Sequence, residues 1–174
     1  MNQKHIDAYF KVVWAFAKCS TAQRLQVGSI IVKNHNILSF GYNGTPAGWD
    51  NTCEQQEWCN AGGWLDAEEI EANWPHEGTY IDAAGVKMSG RFRLKTLPHV
   101  LHSELNSIAK LARGTGGADG ATMFCTHAPC IECAKLIHVC GIKEVYFNLW
   151  YRDKAGVEFL QKAGVHTYHH EIEQ

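Results

Sequence analysis

The sequence predicts an α/β protein in three layers, a mixed five-stranded sheet with helices on both faces. Three observations lead there. From residue 122 onward the pattern runs strand–helix–strand–helix–strand, and units of that kind are joined by right-handed parallel crossovers. Upstream, apolar runs at 27–32 and 37–42 flank Asn34-His35-Asn36, which is good turn chemistry for an antiparallel pair. Helical periods at 5–18 and after residue 101 supply further cover for the sheet.

Taken in order, Ile6, Tyr9, Phe10, Val13 and Ala17 form one apolar stripe, so residues 5–18 make an amphipathic helix with Lys11 and Lys18 off the stripe. Val27–Val32 and Ile37–Tyr42 are strands, and Gly41-Tyr42-Asn43-Gly44-Thr45-Pro46 closes the second as a tight loop. Residues 49–99 read as an irregular insertion with four Trp, an acidic stretch at 66–71, a basic one at 91–95 and room for a short helix over 64–73. Leu101, Leu105, Ile108, Ala109 and Ala112 then set a helix that Gly114-Thr115-Gly116-Gly117 ends. Thr122–Thr126 is a strand, and the helix 130–140 stops at Gly141. A strand at 144–149, a helix at 153–163 stopped by Gly164, and a strand at 165–169 complete the chain.

Composition narrows the function. The 174 residues are 45% apolar with a formal charge of -2, the profile of an ordinary globular protein read as one domain over 1–174. No apolar run reaches the roughly 18 residues that a membrane span needs. No basic-then-apolar leader opens the sequence, so a cytoplasmic location is expected. Without a Lys/Arg run, a polynucleotide substrate is disfavoured. Seven Cys, two of them in a Cys-x-x-Cys pair, point in that compartment to metal ligation and not to a disulfide framework.

The residues that carry chemistry sit at two helix starts: His102-Ser103-Glu104, and Pro129-Cys130-Ile131-Glu132-Cys133. One imidazole and two thiolates are a zinc donor set that leaves one coordination position open. Cys130 and Cys133, three apart, share a helix face, and Pro129 suits the first turn because its missing N–H costs nothing there. His102 and Glu104, two apart, would diverge in mid-helix; they meet one metal only at the very start of a helix. The implied geometry is two helix N-termini facing each other across the ion, each favouring thiolate through its dipole. Glu104 is not needed as a ligand and is placed to move protons. The other reading of the trio is a closed structural zinc site with a fourth ligand elsewhere.

His-x-Glu followed by Pro-Cys-x-x-Cys is the signature of zinc nucleobase deaminases, and the chain resembles the cytidine deaminase-like superfamily, within it the deoxycytidylate (dCMP) deaminases. The narrower resemblance rests on Val27-Gly28-Ser29-Ile30-Ile31-Val32, on Gly41-Tyr42-Asn43-Gly44-Thr45-Pro46-Ala47-Gly48, and on a His as first ligand with Glu104 and Asn106 after it. It covers roughly residues 19–53 and 100–150. Two departures are Ser103, where the family usually has Ala, and Thr126-His127-Ala128 before Pro129, which touches the pocket wall.

The resemblance implies a cytidine deaminase-like fold and hydrolysis of dCMP to dUMP. It implies catalytic zinc on His102, Cys130 and Cys133, and Glu104 as the group that moves protons between water, ring N3 and the departing amine. It further implies Asn43 on the sugar, the Ala128 carbonyl on the exocyclic amine and Tyr151 against the base or sugar; Arg24 and Arg152 are candidates for the 5′-phosphate. Some phage members carry a second, non-catalytic zinc. Cys19, Cys53 and His99 fall at its places, and Cys59 or His76 could complete it. By the same resemblance the protein is a homohexamer activated by dCTP and inhibited by dTTP, with Mg²⁺ on the triphosphate. The alternatives are deamination of another cytosine nucleotide or nucleoside (5-substituted dCMP included), a tRNA adenosine deaminase, and a zinc-stabilised binding module without catalysis.

Overall fold

The computed structural model describes residues 1–60, 64–114 and 116–172. Helix α1 (Gln3–Ala17) starts at Asn2, whose side chain accepts from the Lys4 N–H at 3.0 Å, a normal N-cap. Strands β1 (Gly28–Lys33) and β2 (Asn36–Tyr42) pair antiparallel. Asn34 and His35 between them have φ of 50° and 62°, the left-handed pair that a tight hairpin needs. There follow β3 (Glu54–Trp58), α2 (Ala67–Asn73), β4 (His76–Ile81), β5 (Lys87–Thr96) and α3 (Ser103–Ala112). The chain ends in β6 (Thr122–His127), α4 (Ile131–Val139), β7 (Glu144–Leu149), α5 (Ala155–Lys162) and β8 (His166–His169).

The main sheet has the order β2-β1-β6-β7-β8, with β1 antiparallel to β2 and β6 and the last three strands parallel. This is the mixed five-stranded sheet expected. Its central strands β1, β6 and β7 are buried on both sides, and alternate residues serve opposite layers. Ile30, Val32, Phe124 and Tyr146 pack with Ile6, Tyr9, Phe10 and Val13 of α1. Ile31, Met123, Cys125, Val145 and Phe147 pack with Ile108 and Leu111 of α3, Ala134 and Ile137 of α4, and Val157 and Leu160 of α5. Two glycines let the layers close. A Cβ on Gly28 would lie 2.4 Å from the Val13 carbonyl oxygen, and one on Gly41 would lie 2.1 Å from that of Ser103. The second contact seats the start of α3 on β2.

The stretch 49–99 is not irregular, as the sequence reading had it. It holds a second antiparallel sheet of order β3-β5-β4, and within 64–73 the helix α2 with a capping box from Asp66 and Glu69. Trp58, Tyr80 and Phe92 cluster on one face, with ring centroids 4.5 and 4.9 Å from Trp58, and Gly78 leaves the indole its space. Glu57 bonds Arg93, which lies directly opposite it in register, and Lys95 at 3.1 Å. No apolar run marks its strands, because they are half-exposed and polar or charged residues interrupt them. The alternation Met88, Gly90, Phe92, Leu94, Thr96 is the signal that was there to find.

Candidate active site

Helices α3 and α4 begin on residues that hold the N-cap position without capping. His102 (φ -72°, ψ 153°) and Cys130 (φ -70°, ψ 168°) are extended, and neither side chain makes a cap hydrogen bond. Both side chains are thereby left for another ligand. Two contacts fix these ends. Leu101 and Gly44 exchange backbone hydrogen bonds of 2.9 and 3.2 Å just before His102. The start of α5 presses on the Pro129–Cys130 backbone, where a Cβ on Gly156 would sit 2.0 Å from the Pro129 carbonyl oxygen.

His102 Nδ1 lies 3.5 Å from Cys130 Sγ and 3.5 Å from Cys133 Sγ, and all three donor atoms lie within 4.8 Å of one another. Zinc bonds of about 2.0–2.1 Å to nitrogen and about 2.3 Å to sulfur, at a tetrahedral angle, require N and S to be about 3.5 Å apart. The trio fits zinc. Among the described residues it is the one group of three or more His, Cys, Asp or Glu so gathered. A hydrogen bond from Cys133 holds the Cys130 thiol down to about 3. The same bond pushes Cys133 up, and the bond to Cys130 raises His102.

Glu104 is 4% exposed, and burial raises its carboxyl above the usual range. Ser103 Oγ donates to Glu104 Oε2 at 2.9 Å. An acid beside a metal trio, held by one hydroxyl and shielded from water, is suited to accept and return a proton. His102, Ser103, Glu104 and Cys130 line one open cleft together with Arg24, Leu25, Val27, Asn43, Glu54, Thr96, Val100, His127, Ala128 and Tyr151.

The family model for the cytidine and deoxycytidylate deaminase zinc-binding region matches residues 3–149. The chain belongs to the cytidine and deoxycytidylate deaminase family. It is a zinc-dependent hydrolytic deaminase. Deoxycytidylate deaminase of Enterobacteria phage T4 is 34% identical over 155 residues, which are 82% of this chain and 78% of that protein. The dCMP deaminase of cyanophage S-TIM5, solved with dCMP and dUMP, superposes with a TM-score of 0.74 at 33% identity over 98% of this chain and 99% of its own. A tRNA:A34 deaminase at 15% identity, covering 94% and 98% of the two chains with a TM-score of 0.52, shares the fold alone.

In this deaminase the structure gathers Arg24, Asn43, Ala128 and Tyr151 around the trio and Glu104. Arg152 stands apart from the cleft lining, exposed, with its guanidinium 5.4 Å from the Tyr151 ring centroid. Asn43 has a task beyond facing the cleft. Its Oδ1 accepts from the Val27 N–H and its Nδ2 donates to the Leu25 carbonyl, both at 2.8 Å. Glu54 holds the other half of that loop, accepting from the backbone N–H of Gln23 at 3.2 Å and of Arg24 at 3.3 Å. Sequence reasoning missed Glu54 and its strand partner Thr96, because both belong to the insertion whose sheet it did not see. It took Ser103 only as a departure from the family's usual Ala and missed its bond to Glu104.

Cys19, Cys53, Cys59 and His99 lie around the base of the insertion without forming a second tight group among the described residues. Cys19 is exposed beyond α1, and Cys53 is buried with Sγ 3.5 Å from Thr21 Oγ1. Cys59 directly follows β3, its N–H donating to the Arg91 carbonyl at 2.8 Å. His99 packs on Trp49 at 5.0 Å, and its Nε2 is buried without a hydrogen-bond partner among the described residues. His76 is exposed on β4, stacked on Phe92 at 5.2 Å. No helix among the described residues is long and apolar enough to cross a membrane.

Proposed function

We propose that the protein converts dCMP and water to dUMP and ammonia. The observation that carries this is a single cleft in which the zinc-type trio, the buried Glu104 and one guanidinium, Arg24, are placed together. The solved relative that binds dCMP and dUMP covers nearly the whole chain and supports the same substrate. His102, Cys130 and Cys133 would hold the zinc ion, which when bound would lower the pKa of water enough to make the nucleophile available near neutrality. Glu104 takes one proton of the attacking water and delivers it to N3 of the pyrimidine, then takes the remaining proton from the hydroxyl so added at C4 and hands it to the amine, and the C4–N bond breaks as the C4 carbonyl forms and ammonia leaves. Burial raises its carboxyl, so it accepts a proton more readily than an exposed one, while the Ser103 hydroxyl, which acts the other way, holds it in place. The Ala128 carbonyl receives the exocyclic amine, Asn43 holds the sugar-side loop and can offer its remaining hydrogen-bond capacity to the sugar, and Tyr151 covers the base. Arg24 meets the phosphate, and Arg152, beside Tyr151 but outside the cleft lining, is the second candidate.

The same reading treats residues 1–174 as one deaminase domain with an insertion at 49–99, acting in the cytoplasm. It includes a second zinc on Cys19, Cys53 and His99, with Cys59 as fourth ligand; the unpartnered, buried His99 Nε2 supports it. It also includes a homohexamer regulated by dCTP and dTTP with Mg²⁺. The exposed Ile37, Leu38 and Phe40 on the edge strand β2 give an apolar face for subunit contact.

The test is steady-state deamination of dCMP, 5-methyl-dCMP, CMP, deoxycytidine and a tRNA anticodon stem, with and without dCTP and dTTP, and with metal counted per chain. Turnover that prefers dCMP supports the assignment. Activity only on nucleoside or RNA would leave the zinc chemistry and remove the substrate. Two zincs per chain, falling to one in His99→Ala, support the second site.

A further inference from the structure

His127 is a titratable side chain in the cleft that the mechanism above leaves without a task. It ends β6, is 8% exposed, and stands between the catalytic cleft and a neighbouring cavity that Trp14, Gln23, Gln26 and Leu149 help to line. Arg24 lines the same two spaces and is the one Lys or Arg on the catalytic cleft wall. The junction of the two cavities therefore carries both groups.

A chain of hydrogen bonds fixes the tautomer of this imidazole. The Gly28 N–H donates to Thr126 Oγ1 at 3.1 Å, and Thr126 Oγ1 lies 3.0 Å from His127 Nδ1. Thr126 is fully buried, and among the described residues Nδ1 is the one acceptor its hydroxyl proton can reach. A buried hydroxyl that leaves its proton unbonded is costly. Thr126 therefore donates to Nδ1, and the imidazole keeps its own proton on Nε2. Among the described residues Nε2 has no hydrogen-bond partner, and the ring lines both cavities. Burial depresses the His127 pKa, so the neutral ring persists.

We propose that His127 is a specificity-determining residue, whose Nε2–H donates to an oxygen of the nucleotide's 5′-phosphate beside Arg24. The proposal rests on the dCMP reading of the same cleft. A neutral donor suits this place because it adds a hydrogen bond to the phosphate without burying a further cation, while the exposed Arg24 supplies the positive charge. Thr126 is then a positioning residue, acting through the ring.

The experiment compares wild type, His127→Leu and His127→Gln on dCMP and deoxycytidine, with zinc counted in each. Leucine keeps bulk and removes the donor; glutamine returns an N–H near the position of Nε2. A hydrogen bond to a charged group predicts that His127→Leu raises KM for dCMP about 10- to 100-fold. The loss of kcat/KM on dCMP should exceed that on deoxycytidine by the same order, and His127→Gln should recover most of it. Equal losses on the two substrates, or no loss on dCMP, would overturn the proposal. A long-range ¹H–¹⁵N spectrum of the folded wild-type protein reads the tautomer directly, and a proton on Nδ1 would overturn it as well. The wild-type preference between dCMP and deoxycytidine tests the substrate reading separately from these variants.

Discussion

Replacing Gly156 by alanine sets two effects of opposite sign against each other. In a helix, Ala is favoured over Gly by about 1 kcal/mol, so propensity alone predicts a more stable enzyme. The added Cβ, however, would sit 2.0 Å from the Pro129 carbonyl oxygen, 2.8 Å from the Cys130 carbonyl carbon and 2.9 Å from its oxygen. Real Cβ atoms essentially never approach closer than 3.0 Å, and the neighbours here are backbone, so no side chain can rotate away. The Pro129–Cys130 segment has to retreat by about 1 Å, an overpacking that costs roughly 1–3 kcal/mol and exceeds the propensity gain. Cys130 moves with it, away from the 3.5 Å spacing to His102 that zinc requires. Misplacement of about 1 Å at a reacting centre costs on the order of a hundredfold in rate. Gly156→Ala is therefore expected to lower kcat about a hundredfold and to speed zinc loss to a chelator, followed with a colorimetric zinc indicator. A variant with wild-type kcat and wild-type zinc retention would refute the reasoning that α5 sets the position of Cys130.

Glu104→Gln keeps the side chain's shape and removes its proton transfer. The expected outcome is a fall in kcat of at least about 10²–10⁴ with zinc content unchanged, and near-normal turnover would remove Glu104 from the mechanism. Asn43→Ala leaves the Val27 N–H and the Leu25 carbonyl without partners, so urea unfolding should report about 1–3 kcal/mol lost; a higher KM should accompany it, and an unchanged midpoint would mean the two bonds are idle. Glu54→Ala frees the Gln23 and Arg24 amides, and KM for dCMP should rise while bound zinc stays constant; if KM holds, the insertion does not order the Arg24 loop. Removing zinc with a chelator should abolish activity, and adding zinc back should restore it.

Several features were legible because they depend on local spacing. A stripe of apolar residues at helical period, such as Ile6 to Ala17, can be buried in one way only, and Asn34-His35 supplies the left-handed backbone of its own hairpin. The zinc trio was legible for the same reason. Cys130 and Cys133 are related by one helical turn, and His102 and Glu104 can cooperate only at a helix start, so the sequence already required two N-termini to meet. What it could not state is the 3.5 Å spacing that makes the three atoms a tetrahedral set, because that depends on Gly41 seating α3 and Gly156 seating the Cys130 segment.

Pairings between distant residues were decided by the tertiary structure alone. Glu54 reaches Gln23 and Arg24 across some thirty residues, and Asn43 reaches back to Leu25 and Val27. Nothing in local periodicity encodes such contacts, because each depends on two segments being brought together by the sheet. The insertion shows the same limit from the other side. Its strands bury only one aromatic face, so the apolar pattern along any single strand is too weak to read, and the pairing of β3, β4 and β5 makes a sheet of them. The kind of chemistry was thus set by residues close in sequence, and the shape of the cleft around it by residues that only folding makes neighbours.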